Sequence, residues 1–62
     1  MKAKELVKLL ERSGYEEVRQ KGSHRRFECV GKEPLTIPWH SNGNATLHPK
    51  IIKDCLKKAG LL

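Results

Sequence analysis

The sequence predicts an α+β fold in the order α-β-β-β-α: a three-stranded antiparallel sheet with two helices packed on one face. Three observations predict it. Apolar residues recur at helical spacing near both ends of the chain; the middle alternates with a period of two and carries most of the β-branched and aromatic residues; and breaks rich in Gly, Ser and Pro cut that middle into three short runs. Two helices with one apolar stripe each bury both stripes most simply against the same face of the sheet. The other face is then left open.

The first helix is expected over residues 2–13. Ala3, Leu6, Val7 and Leu10 share one side, Lys4, Glu5, Lys8 and Glu11 occupy the rest, and Gly14 follows where a C-terminal cap belongs. The strands are expected over 16–21 (EEVRQK), 24–30 (HRRFECV) and 35–39 (LTIPW), separated by Gly22-Ser23 and by Gly31-Lys32-Glu33-Pro34. Asn42-Gly43 has the form of a hairpin turn, but helical periodicity follows it, so it marks the loop into the second helix. That helix starts at Pro49, lines up Ile51, Ile52, Cys55, Leu56 and Ala59, and stops at Gly60.

The chain has 62 residues, which reads as one domain, residues 1–62, with no repeat or linker. A fold of this size buries only about 60% of the surface of its unfolded chain, so the core is thin. With 37% hydrophobic and 32% charged residues the composition is that of a globular domain and excludes a disordered tail or a fibre. Thirteen Lys and Arg against seven Asp and Glu leave a net charge of +6, which attracts polyanions: nucleic acid, an anionic membrane or an acidic protein. No apolar run approaches the ~20 residues of a membrane span and no stretch has the form of a signal peptide, so a cytoplasmic location is expected. The sequon Asn44-Ala45-Thr46 has no consequence without export. Cys29 and Cys55 lack the paired spacing of a zinc or redox site and read as small buried hydrophobes.

Strand parity picks out one histidine. Phe27 and Cys29 are the natural core residues of the second strand, which sends His24, Arg26 and Glu28 to the open face. By the same rule Leu35, Ile37 and Trp39 point inward in the third strand and Thr36, Pro38 and His40 outward. With Val18 facing the core, Arg19 and Lys21 also emerge on the open side. The stretch Lys21-Gly22-Ser23-His24-Arg25-Arg26-Phe27 therefore sets a titratable side chain at a strand entrance among cations.

Arg19, Lys21, Arg25 and Arg26 fall in one short run without an acid among them, the local charge that a phosphodiester backbone requires. A charge run alone is more often a solvated surface. The histidine adds chemistry, because imidazole exchanges a proton near neutral pH. RNA carries its own nucleophile, and a base that deprotonates a 2′-hydroxyl, with cations to stabilise the charge on phosphorus, suffices for cleavage without a metal. His40 or Lys21 could donate the proton to the leaving oxygen. A metal site built from His24, His40, His48 and the cysteines is disfavoured by their irregular spacing, and no cofactor is expected. His48, beside Pro49, reads as a capping or surface residue.

Gln20-Lys21-Gly22-Ser23-His24-Arg25-Arg26-Phe27, then Ile37-Pro38-Trp39-His40, then Leu47 to Gly60 (LHPKIIKDCLKKAG) resemble the HicA toxins of bacterial and archaeal toxin-antitoxin systems over nearly the whole chain. The specific part is Gly-Ser-His entering a strand. The resemblance implies a fold like a double-stranded-RNA-binding domain, endoribonuclease activity on mRNA as an mRNA interferase that arrests growth, and neutralisation by a HicB-like antitoxin. It maps the catalytic histidine onto His24, with Arg19, Lys21, Gly22, Ser23, Arg25, Arg26 and His40 around it as RNA-binding residues. Lys50-Ile51 stand where the family often has Gly-Thr, and Trp39 sits within the Pro-x-His element. The rival reading is a non-catalytic RNA-binding module of the same topology. Against it, the second helix opens His48-Pro49-Lys50-Ile51-Ile52 without a basic cluster at its start. An adaptor that binds an acidic protein through the open face is the third.

Overall fold

A computed structural model describes all 62 residues, Met1 to Leu62. In chain order it contains α1 (Ala3–Arg12), β1 (Glu16–Lys21), β2 (His24–Glu28), β3 (Leu35–Pro38), a short turn (Ser41–Gly43) and α2 (Pro49–Lys58). The sheet is antiparallel in the order β1-β2-β3, so each strand pairs with its neighbour in sequence. The predicted α-β-β-β-α order is the observed one.

One cluster forms the core: Ala3, Leu6, Val7 and Leu10 from α1, Phe27, Leu35 and Ile37 from the sheet, Cys55 and Ala59 from the second helical segment, and Tyr15 and Leu47 from the connections. Phe27 and Ile37 are fully buried on the helix-facing side of the sheet, as their parity requires. Tyr15 was not legible as a core residue because it stands outside both periodic patterns. It is only 2% exposed, and its hydroxyl donates to the Glu33 carbonyl at 2.9 Å, which satisfies the one polar atom that burial would orphan. The same burial raises the phenol pKa above its ordinary value.

Helix termini are set locally. At the start of α1 the Glu5 carboxylate accepts from the Lys2 backbone N–H at 2.8 Å, and this hydrogen bond holds the carboxyl below its usual pKa. Its C-terminus closes with Gly14 N–H to Glu11 O and Tyr15 N–H to Leu10 O, a Schellman pair that delivers Tyr15 into the core beside Leu10. Helix α2 begins on His48, whose Nδ1 accepts from the Lys50 N–H at 3.1 Å, with Pro49 next in line. His48 is thus the cap that the sequence suggested.

Three expectations are corrected. Strand β2 ends at Glu28 rather than Val30, and Val30 stands fully exposed in the turn that follows. Strand β3 ends at Pro38 rather than Trp39, although the Trp39 N–H still donates to the Ser23 carbonyl. Val18 does not face the core: the register steps from Glu17 opposite Phe27 to Arg19 opposite Arg26, so Val18 is the extra residue of a β-bulge and remains 51% exposed. A bulge inserts one residue and resets the alternation behind it, so Arg19 and Lys21 keep their expected face although Val18 does not keep its own.

Candidate functional site

The site is built on the β1–β2 hairpin. Its loop is Gly22-Ser23, with a positive φ of 58° at Gly22 and none at Ser23, the pattern of a II′ turn that glycine adopts without steric cost. A two-residue loop fixes the register, and it sets Lys21 directly opposite His24. On the other flank His24 pairs with Pro38. Opposed residues in an antiparallel ladder have Cβ atoms about 4.5–5.5 Å apart, so the imidazole stands between the Lys21 stem and the Pro38 ring.

Successive rows on the open face follow from this register. Lys21, His24 and Pro38 form the first, Arg19, Arg26 and Thr36 the second, and Glu16 and Glu28 the third. Arg19 and Arg26 are opposed like charges, an arrangement that ordinarily destabilises a strand pair. Glu28 relieves part of the repulsion by accepting from Arg26 Nε at 3.0 Å, an exposed ion pair of little intrinsic strength. An anion placed between the two guanidiniums would relieve the rest. The side chains of His24, Lys21, Arg19 and Arg26 are all exposed.

Arg25 is separated from these cations. It is opposed to Gln20 and to the buried Ile37, and so lies on the helix-facing side. There its guanidinium stacks 4.1 Å from the centroid of the Trp39 ring and donates through Nη1 to Glu17 at 3.1 Å, while its Nε is buried without a partner. Alternation dictates this outcome, since residues 25 and 27 share a face. Arg25 is therefore placed to brace the strand that carries His24.

Trp39 is held in turn by Gly43, where a Cβ would lie 2.5 Å from the indole. The left-handed φ values of Ser41, Asn42 and Gly43 curl the chain back beneath the ring. His40 precedes that turn, exposed and extended, on the side of the chain opposite Trp39. His48 lies at the start of α2, where its ring caps the helix. No group of three or more His, Cys, Asp or Glu side chains converges into a metal-binding set. Both cysteines are free; Cys55 is buried, which raises its thiol pKa, and Cys29 is half-buried against the core.

The bracing trio Arg25, Trp39 and Gly43 was not found from sequence. The inward parity of Trp39 was visible, but its partner across the sheet and the close approach of Gly43 belong to tertiary packing.

The family model for the HicA toxin of bacterial toxin-antitoxin systems matches residues 3–61. Among solved structures, the chain is similar to one from a toxin-antitoxin complex of Streptococcus pneumoniae, with 37% identity, a TM-score of 0.80 and 98% of each chain covered. A search of curated proteins gave no match. The match over residues 3–61, together with a Gly-Ser-His strand entrance on an α-β-β-β-α frame, shows that this chain belongs to the HicA toxin family.

Proposed function

We propose that the protein is a metal-independent endoribonuclease acting on mRNA, with His24 as the general acid/base and Arg19, Lys21, Arg26 and the Gly22-Ser23 turn holding the RNA backbone. The observation that carries this reading is the juxtaposition of His24 with its register partner Lys21 and with the opposed Arg19–Arg26 pair. His24 removes the proton of a 2′-hydroxyl, and that oxygen bonds to the adjacent phosphorus. Arg19 and Arg26 stabilise the added negative charge as it forms. The bond to the 5′-oxygen then breaks, and this oxygen takes a proton from Lys21 or from His40. The products are a 2′,3′-cyclic phosphate and a free 5′-hydroxyl. Purified protein is expected to cleave RNA in excess chelator and to spare any linkage whose 2′-hydroxyl is replaced by hydrogen. Loss of cleavage in chelator with rescue by a divalent ion would overturn the metal-free mechanism, and cutting at a 2′-deoxy linkage would overturn the nucleophile.

The partner follows from the same face. A HicB-like antitoxin, acidic at its contact, covers the open sheet face and neutralises the toxin by keeping RNA from His24, with charge steering the encounter. The similarity to a chain from a toxin-antitoxin complex supports this. Raising salt is expected to slow association, while His24→Ala still binds, since the imidazole is one contact among many. The check is an association measurement with the product of the adjacent gene, with RNA cleavage followed in parallel. Undiminished cleavage in the bound complex would rule out occlusion.

A further inference from the structure

Most of the chain's excess charge is not beside His24. On the open sheet face three cations, Arg19, Lys21 and Arg26, stand against two carboxylates, Glu16 and Glu28, and Arg26 is already paired. Helix α2 carries four lysines, Lys50, Lys53, Lys57 and Lys58, against the single Asp54, a net +3 that is half of the chain's +6. At 3.6 residues per turn, Lys50, Lys53 and Lys57 fall within about 60° of one another and point directly away from the buried side formed by Cys55 and Ala59. All three are exposed and none has an ion-pair partner. The one acid among them, Asp54, is taken by Lys58 at 3.2 Å, a contact that raises the Lys58 pKa.

We infer that the outer face of α2 is a second RNA-backbone site, in which Lys50, Lys53 and Lys57 hold phosphates of the same RNA that is cut at His24. This rests on the ribonuclease reading for the identity of the polyanion. The row extends about 10 Å along the helix, over which a stacked strand presents about three phosphates. The shallow depression between the lysines is lined by Lys50, Lys53, Asp54 and Lys57 and by no apolar side chain. Protein interfaces are depleted in lysine and gain their energy from buried aromatic and apolar anchors, so this surface suits a phosphate chain and not an antitoxin. The helices occupy the sheet face opposite His24, so the two surfaces divide the labour: α2 supplies affinity and the sheet supplies chemistry.

The test compares the full chain with the K50Q/K53Q/K57Q variant, which changes only exposed positions and whose melting curve is recorded alongside. Binding is measured to a 2′-O-methyl RNA, which keeps every phosphate and cannot be cleaved, and cleavage of unmodified RNA is measured separately at saturation. The variant is expected to bind at least about tenfold more weakly at low salt, with a log K against log salt slope shallower by about 2, three phosphates at ~0.7 each. Its single-turnover cleavage at saturating RNA is expected to match that of the parent. Unchanged affinity and slope in a folded variant overturn the inference and leave the ribonuclease reading standing. If the parent fails to cleave RNA but loses affinity with the three lysines, the ribonuclease reading falls and this site remains. Failure of the parent to bind the 2′-O-methyl RNA overturns both, and a variant that loses antitoxin instead of RNA identifies the surface as a protein contact. As a control on helix stability, K50R/K53R/K57R is expected to retain the affinity and slope of the parent.

Discussion

His24→Ala is expected to abolish RNA cleavage and to leave the fold and most of the RNA affinity in place. Loss of a positioned acid/base group lowers the rate by about 10²–10⁴-fold, and a residue that activates the nucleophile itself belongs at the upper end. The side chain is exposed and accepts or donates no hydrogen bond within the protein that could be lost. Substitutions at such positions stay within about 0.5 kcal/mol, equivalent to a melting-temperature change of at most about 4 °C in a chain this small. The proposed phosphate contacts of Arg19, Lys21 and Arg26 are untouched, so binding to uncleavable RNA is expected to fall by no more than a few-fold, on the order of a single lost contact among several. Three measurements on one variant decide the matter: cleavage rate, melting curve and affinity for 2′-O-methyl RNA. Residual cleavage within tenfold of the parent would remove His24 from the chemistry. A collapsed melting curve would assign it to the fold instead.

Much of this site was legible in the sequence because parity is a local rule. Phe27 announces the core side of β2, and that assignment alone sends His24 and Arg26 to the other side. The II′ turn at Gly22-Ser23 is equally local, and it carries the rule across to Lys21. Parity also disposes of Arg25: a run of four cations reads as one patch in sequence, yet Arg25 shares the face of Phe27. The bulge at Val18 had no sequence signal, since a valine flanked by Glu17 and Arg19 fits a regular strand as well as a bulged one. Arg19 and Lys21 were nevertheless placed on the correct face because the bulge lies before them and β2 sets their pairing. What could not be read was long-range. Nothing near residue 43 indicates that its glycine meets the ring of residue 39, or that the ring's other contact is an arginine from the neighbouring strand.

That long-range contact gives the largest expected effect on stability. Gly43→Ala places a Cβ 2.5 and 2.6 Å from two carbons of the Trp39 ring and 3.0 Å from the Lys4 Cβ, at a φ of +82° that side chains rarely adopt. The ring has little room to retreat, because the Arg25 guanidinium stacks on it at 4.1 Å and is itself held by Glu17. Overpacking of this kind costs about 1–3 kcal/mol and the left-handed backbone about 1 kcal/mol more. The expected total of about 2–4 kcal/mol lowers the melting temperature by roughly 15–30 °C in a chain of this size. Gly22→Ala is the natural comparison: its φ is also positive, at 58°, but no atom lies within 4 Å of the new Cβ, so only the backbone share, about 1 kcal/mol, is expected. A double-mutant cycle separates the two contributions at Gly43 itself. In a Trp39→Leu background the clashing ring carbons are gone, and Gly43→Ala is expected to cost about 1 kcal/mol, which gives a coupling of about 1–3 kcal/mol between the positions. Cleavage is expected to fall with stability in Gly43→Ala, because the Trp39 N–H donates to the Ser23 carbonyl and a displaced tryptophan loosens the strand entrance at His24. Equal penalties in the two backgrounds would show that the cost lies in the backbone alone and that the Trp39–Gly43 contact does not brace the site.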